Sequence, residues 1–196
     1  MYDSVTVANL PVQPGALYAG YVNGNWPNFI QISQQFRKSR VVSIAVQANA
    51  DAQVLDVEAG DATASQAPAW VTRQRTLGRK RPTIYTSRSN FGTVIAAFNA
   101  AKVALPDFWI ADWTGAAHSV PGAVAVQFAS NDKYDTSCIT DAHWPDAKPT
   151  VIHRVIHAPK KVVKKAAHVV KKAAHVVKKV VKKVVHKPAP KPAKKP

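Results

Sequence analysis

The chain holds a single glutamate, Glu58, two places after Asp56 in the run Val54-Leu55-Asp56-Val57-Glu58-Ala59-Gly60-Asp61. On a strand, residues two apart point to one face, so these two carboxyls are expected to project together. Two close carboxyls do not both ionise freely, and the more buried one keeps its proton. A protonated carboxylic acid beside an ionised one is the pair that glycoside cleavage uses. An acidic pair that caps the next helix or meets an arginine is the alternative this spacing leaves open.

Further acids and aromatic rings fall at the ends of other apolar runs. Asp3 lies in the first run, Asp112 ends Trp109-Ile110-Ala111-Asp112-Trp113, and Asp135 lies in Tyr134-Asp135-Thr136-Ser137. Tyr18, Tyr21, Tyr85, Trp109, Trp113 and Phe128 stand on or beside run ends. Rings stack on pyranose C–H faces and carboxylates bond hydroxyls, so this mixture suits a sugar site. Core filling accounts for most of these rings, whereas Trp113, beside Asp112 and before Thr114-Gly115, is placed for a cleft. The candidates are thus Glu58 and Asp56 for chemistry, with Asp3, Asp112, Asp135, Tyr21, Tyr85 and Trp113 for substrate contact.

The elements that must position them read as short apolar runs separated by turn signals. Strands are predicted at Tyr2–Val7, Ala16–Val22, Val41–Val46, Gln53–Glu58, Thr83–Ser87, Phe108–Asp112, Ala123–Phe128 and Tyr134–Ile139. Helices are predicted at Asn28–Lys38, Ala64–Leu77 and Asn90–Val103. Pro68 falls near the start of the second helix and Gly78 just past its end, where each residue type belongs. Helices follow the second, fourth and fifth strands, and loops alone join the last three. Alternating strands and helices imply a largely parallel sheet, and eight strands can close as a barrel. The link from Val46 to Gln53 is too short for a crossover containing a helix. The third and fourth strands are therefore expected not to be simple parallel neighbours, or one of them is misassigned.

Composition bounds the rest. The 196 residues carry 27 Lys+Arg against 11 Asp+Glu, a net charge of +16. Residues 1–146 hold 11 basic and 11 acidic residues, so the whole excess lies after Asp146, where no acid occurs. A globular body, 1–146, is thus joined to a Lys/Val/Ala/Pro-rich tail, 147–196. The tail repeats Lys164-Lys165-Ala166-Ala167-His168-Val169-Val170 as residues 171–177, with apolar pairs on one helical stripe. It is expected to be disordered or weakly helical alone, and helical on a polyanion or anionic membrane. Lysine without aromatic neighbours grips phosphate unselectively, which leaves DNA, wall teichoic acid and anionic lipid as partners. The lone Cys138 excludes an internal disulfide and a cysteine-based zinc site. His168, His175 and His186 have no acidic ligand beside them, and no metal is expected there. No apolar run approaches the ~20 residues that span a bilayer. Met1-Tyr2-Asp3-Ser4 has neither the basic start nor the apolar run of a secretory signal, so synthesis in the cytoplasm is expected. The tail's charge opposes self-association, and a monomer is expected.

Five segments in one order carry a resemblance: Val54-Leu55-Asp56-Val57-Glu58, Pro82-Thr83-Ile84-Tyr85-Thr86-Ser87, Phe108-Trp109-Ile110-Ala111-Asp112-Trp113, Val126-Gln127-Phe128-Ala129 and Tyr134-Asp135. Across most of residues 2–140 the chain resembles the family 25 glycoside hydrolases, the muramidases of bacteriophage lysins and bacterial wall enzymes. The resemblance implies an irregular TIM-type (β/α) barrel of five strand–helix units followed by three strands. It implies Glu58 as general acid/base and Asp56 as charge stabiliser, acetamide-orienting group or nucleophile. Asp3 and Asp135 match the family's acids on the first and last strands. The implied substrate is peptidoglycan, cut at the β-1,4 bond between N-acetylmuramic acid and N-acetylglucosamine, with no cofactor. The chain departs from the family in its short first connection, Ala8–Gly15, and its nearly absent third crossover. The tail resembles those of bacterial histone-like proteins and linker histones. The runner-up reading is accordingly a catalytically inactive glycan- or DNA-binding protein.

Overall fold

A computed structural model describes residues 1–146. The expectations for the basic tail, 147–196, lie outside the described residues. Eight strands close into one barrel in chain order: β1 (Tyr2–Asp3), β2 (Tyr18–Tyr21), β3 (Val41–Ala45), β4 (Val54–Asp56), β5 (Thr83–Ser87), β6 (Asp107–Ala111), β7 (Ala123–Ser130) and β8 (Asp135–Ile139). Helix α1 (Phe29–Gln35) follows β2, α2 (Ala67–Thr76) follows β4, and α3 (Phe91–Ala101) follows β5. Loops alone join the last three strands, as their spacing predicts. Neighbours from β1 to β7 are parallel, while β8 runs antiparallel to both β7 and β1. That reversal has a simple cause. Only residues 131–134 separate β7 from β8, and a link this short makes a hairpin but not a crossover.

The expectation for the link between β3 and β4 is overturned. Both strands exist, and they pair in parallel through Ile44↔Val54 and Ala45↔Leu55. Because β4 begins level with the last residues of β3, the chain need not travel back a full strand. The linking loop also fills the place a helix would take. Ala52 is fully buried, Ala48 and Ala50 pack on the core, and the Ala50 carbonyl accepts Trp70 Nε1–H at 2.8 Å. The first strand stops at Asp3 rather than Val7, because the Ser4 hydroxyl turns the chain. Ser4 Oγ accepts the Thr6 N–H at 3.1 Å and donates to the Lys133 carbonyl at 2.6 Å. A 3-10 turn at Val7–Asn9 then occupies the connection that has no room for a helix.

Alternation along the strands makes two layers. Val54, Trp109, Ala125 and Tyr85 belong to the inner cluster, and Leu55, Ile84, Ile110 and Val126 to the outer one. The outer set packs under Trp70 and Val71 of α2 and Val94 and Phe98 of α3. Burial of such side chains is worth about 1.5–3 kcal/mol each. Three hydrogen bonds identify the inner face, because they join strands or segments that are not neighbours. Tyr85 Oη donates to Gln127 at 2.8 Å, Trp109 Nε1 to Ser137 at 3.1 Å, and Trp144 Nε1 to Thr83 at 2.7 Å. Thr83 opens β5, so Trp144, which is fully buried, plugs the end of the barrel where the parallel strands begin. The opposite end, where they finish, carries the candidate residues.

Candidate active site

Strand β4 ends on Asp56, and the next residues are held firmly. The Val57 N–H donates to the Tyr85 carbonyl, while the Val57 carbonyl accepts Thr86 Oγ1–H at 2.9 Å and Asn90 Nδ2–H at 3.2 Å. Glu58 then opens a tight turn closed by the Asp61 N–H on its carbonyl. Gly60 takes φ +96° in that turn, a backbone conformation that favours glycine. Asp56 is therefore fixed inside the mouth, 6% exposed, and Glu58 is half-buried at its edge.

Asp3 is 2% exposed and lies directly across the β1–β8 ladder from Asp135. Like charges so opposed repel. Burial and the Asp135 charge push the Asp3 carboxyl up to about 7, against a hydrogen bond from Gln127 that works the other way. Burial, followed by the charges of Glu58, Asp61 and Asp3, pushes Asp56 up to about 8. Glu58 is raised too, by burial and then by Asp61 and Asp135. Burial beside these carboxylates also raises the phenols of Tyr21 and Tyr85, which stay protonated as donors. One oxygen of each buried acid, Asp3 Oδ1 and Asp56 Oδ1, has no hydrogen-bond partner among the described residues. Leaving a buried acceptor unmatched costs about 1–3 kcal/mol.

A cleft of about 560 Å³ opens beside this mouth, lined by Glu58, Ala59, Ala62, Thr63, Ser87 and Asn90 among others. Of the predicted site residues only Glu58 lines it. The more deeply set Asp56 does not, although the Glu58 charge is felt at Asp56. Trp113 is 67% exposed, yet its Nε1–H is tied to Gln127 Oε1 at 2.9 Å. Trp26, in the loop after β2, is a second exposed ring at 63%. Asp112 does not join the other acids, because its Oδ2 meets His118 Nε2 at 3.1 Å within the loop between β6 and β7.

Gln127 is a site residue that the sequence reading does not single out. It is 2% exposed, its Oε1 accepts from both Tyr85 and Trp113, and its side chain acts to lower Asp3. The signal was present: Gln127 is the one amide in the otherwise apolar run from Ala123 to Ala129. Among the described residues no group of three or more His, Cys, Asp or Glu side chains converges to hold a metal ion. Chemically, the arrangement presents proton-holding carboxyls at a barrel mouth with phenol donors and an indole beside them. No protein-family model and no curated protein matches the chain.

Proposed function

We propose that the chain is a peptidoglycan-degrading glycosidase, an N-acetylmuramidase of the lysozyme type on a shortened TIM-type barrel. It cuts the β-1,4 bond between N-acetylmuramic acid and N-acetylglucosamine by carboxylate acid/base catalysis. The observation that carries this reading is the pair at the end of β4, where Asp56 and Glu58 are both raised by burial and Asp56 further by Glu58. Asp56, pushed up to about 8, holds its proton through neutral pH with Glu58 beside it. Glu58, on the cleft wall, is the member that meets the glycosidic oxygen as general acid. Asp56, deeper, passes its proton to Glu58, which delivers it to the leaving oxygen, and the Asp56 carboxylate then stabilises or captures the oxocarbenium-like sugar. Asp3, Asp135, Tyr21 and Tyr85 bond hydroxyls, and Trp113 stacks on a sugar ring.

The enzyme acts at the bacterial cell wall in the manner of a phage lysin, with the tail's cations holding it on teichoic acid or anionic lipid. Glu58→Gln is the test, because it keeps the shape and removes the titrating proton. Lysis of a peptidoglycan suspension should stop while thermal unfolding stays cooperative, and clearing at the parent rate would refute the assignment. The concentration of the whole +16 excess after Asp146 favours a second reading, a non-catalytic glycan- or DNA-binding protein. Deleting residues 151–196 separates the two. A muramidase still cuts soluble glycan fragments, whereas a polyanion binder loses its main activity, and its affinity in the full chain falls steeply with salt.

A further inference from the structure

We infer that the mouth of the barrel holds the ammonium group of a de-N-acetylated amino sugar, so that the substrate class is a glycan bearing free amines. This inference rests on the glycosidase reading and names the sugar that the site selects. Asp3, Asp56, Glu58, Asp61 and Asp135 stand around one strand-end face, and none of them pairs with a Lys, Arg or His among the described residues. Of the six acids elsewhere, Asp51, Asp107, Asp112 and Asp141 each meet a basic side chain, while Asp132 and Asp146 do not among the described residues. Basic side chains thus pair with most of the acids elsewhere and with none at the mouth, where the Met1 ammonium acts on Asp3 but donates its hydrogen bond to the Ser137 carbonyl.

Two buried atoms, Asp3 Oδ1 and Asp56 Oδ1, lack any donor, and both belong to side chains more than nine-tenths buried. An orphan acceptor in a dry site asks for a donor from outside the protein. An ammonium offers three N–H donors together with the opposite charge, whereas an acetamide offers one N–H and no charge. A neutral hydroxyl would fill one acceptor and leave the other unmatched. A metal ion is a poorer match, because no trio of ligands converges there.

Calorimetric titration of the full chain with glucosamine trimer and with N-acetylglucosamine trimer tests this. The titration is run at about pH 6, below the values of about 7 and about 8 for Asp3 and Asp56. The amine is already charged in solution there, so any proton set free comes from the protein. The amine trimer should bind at least tenfold more tightly and release protons, seen as a binding enthalpy that changes with the ionisation enthalpy of the buffer. Asp3→Asn combined with Asp56→Asn should abolish both the preference and the release. Equal or tighter binding of the acetylated trimer, or binding without proton release, overturns the inference and leaves the glycosidase reading standing. Failure of both trimers to bind defeats the glycan reading and this inference with it.

Discussion

Asp56→Asn should make the protein more stable and destroy its activity. Asp56 carries a raised value of about 8 in the fold, against 3.8 as its ordinary value. A carboxyl raised by folding holds its proton more tightly in the native state. Its contribution is therefore fully present below about pH 4, and it is lost progressively as pH climbs toward 8. At pH 7 the unfolded chain has released this proton and the native chain still holds it. A difference of about three pH units then costs the native state about 4 kcal/mol at 1.36 kcal/mol per unit. That is a large part of the 5–15 kcal/mol by which domains are stable. An asparagine of nearly the same shape never ionises and escapes the cost. Urea unfolding of parent and variant at intervals from pH 4 to pH 8 measures the difference directly. The variant's advantage should grow by about 4 kcal/mol between pH 4 and pH 7, whatever constant offset the new amide brings. A difference that stays flat with pH, or a parent that gains on the variant as pH rises, would refute the reasoning that Asp56 is held protonated.

Gln127→Ala removes the one acceptor shared by Tyr85 and Trp113, so turnover should fall while the barrel still forms. The lost hydrogen bonds should cost about 1–3 kcal/mol in urea unfolding, and Trp113 fluorescence should shift as its ring comes loose. Trp144→Ala opens the plugged end of the barrel and should cost about 3–5 kcal/mol, read as a lower unfolding midpoint with unchanged pH dependence. A Trp144 variant as stable as the parent would mean that the segment after β8 does not close the barrel.

The sequence marks all eight strands and three helices because each buried run is bounded by a turn residue. β5 is predicted at its observed limits, since Pro82 precedes it and α3 begins soon after. The helix-free last three strands are equally plain from spacing. What spacing alone cannot express is stagger. The parallel pairing of β3 with β4 depends on where β4 starts relative to β3, a property of the closed barrel and not of either segment. The early end of β1 depends on Ser4 meeting a carbonyl at Lys133, far away in the chain.

The site divides in the same way. Asp56 is legible as the inward-facing residue at the end of an apolar run, whereas Glu58 lies past the end of β4 in a turn, so the two-residue strand period that predicts a shared face does not apply to it. Asp112 carries the same local signal as the other acids, yet His118 claims it. Gln127 shows locally only as one amide in an apolar run, because its importance lies in two donors from other segments, Tyr85 and Trp113, meeting on one oxygen.

Mass spectrometry of purified peptidoglycan, digested by the parent chain and by Glu58→Gln, tests the central claim most directly. New reducing ends on N-acetylmuramic acid or its de-N-acetylated form, present with the parent and missing with the variant, are the predicted result. Intact glycan strands after incubation with the parent, or the same new ends from the variant, would contradict the account.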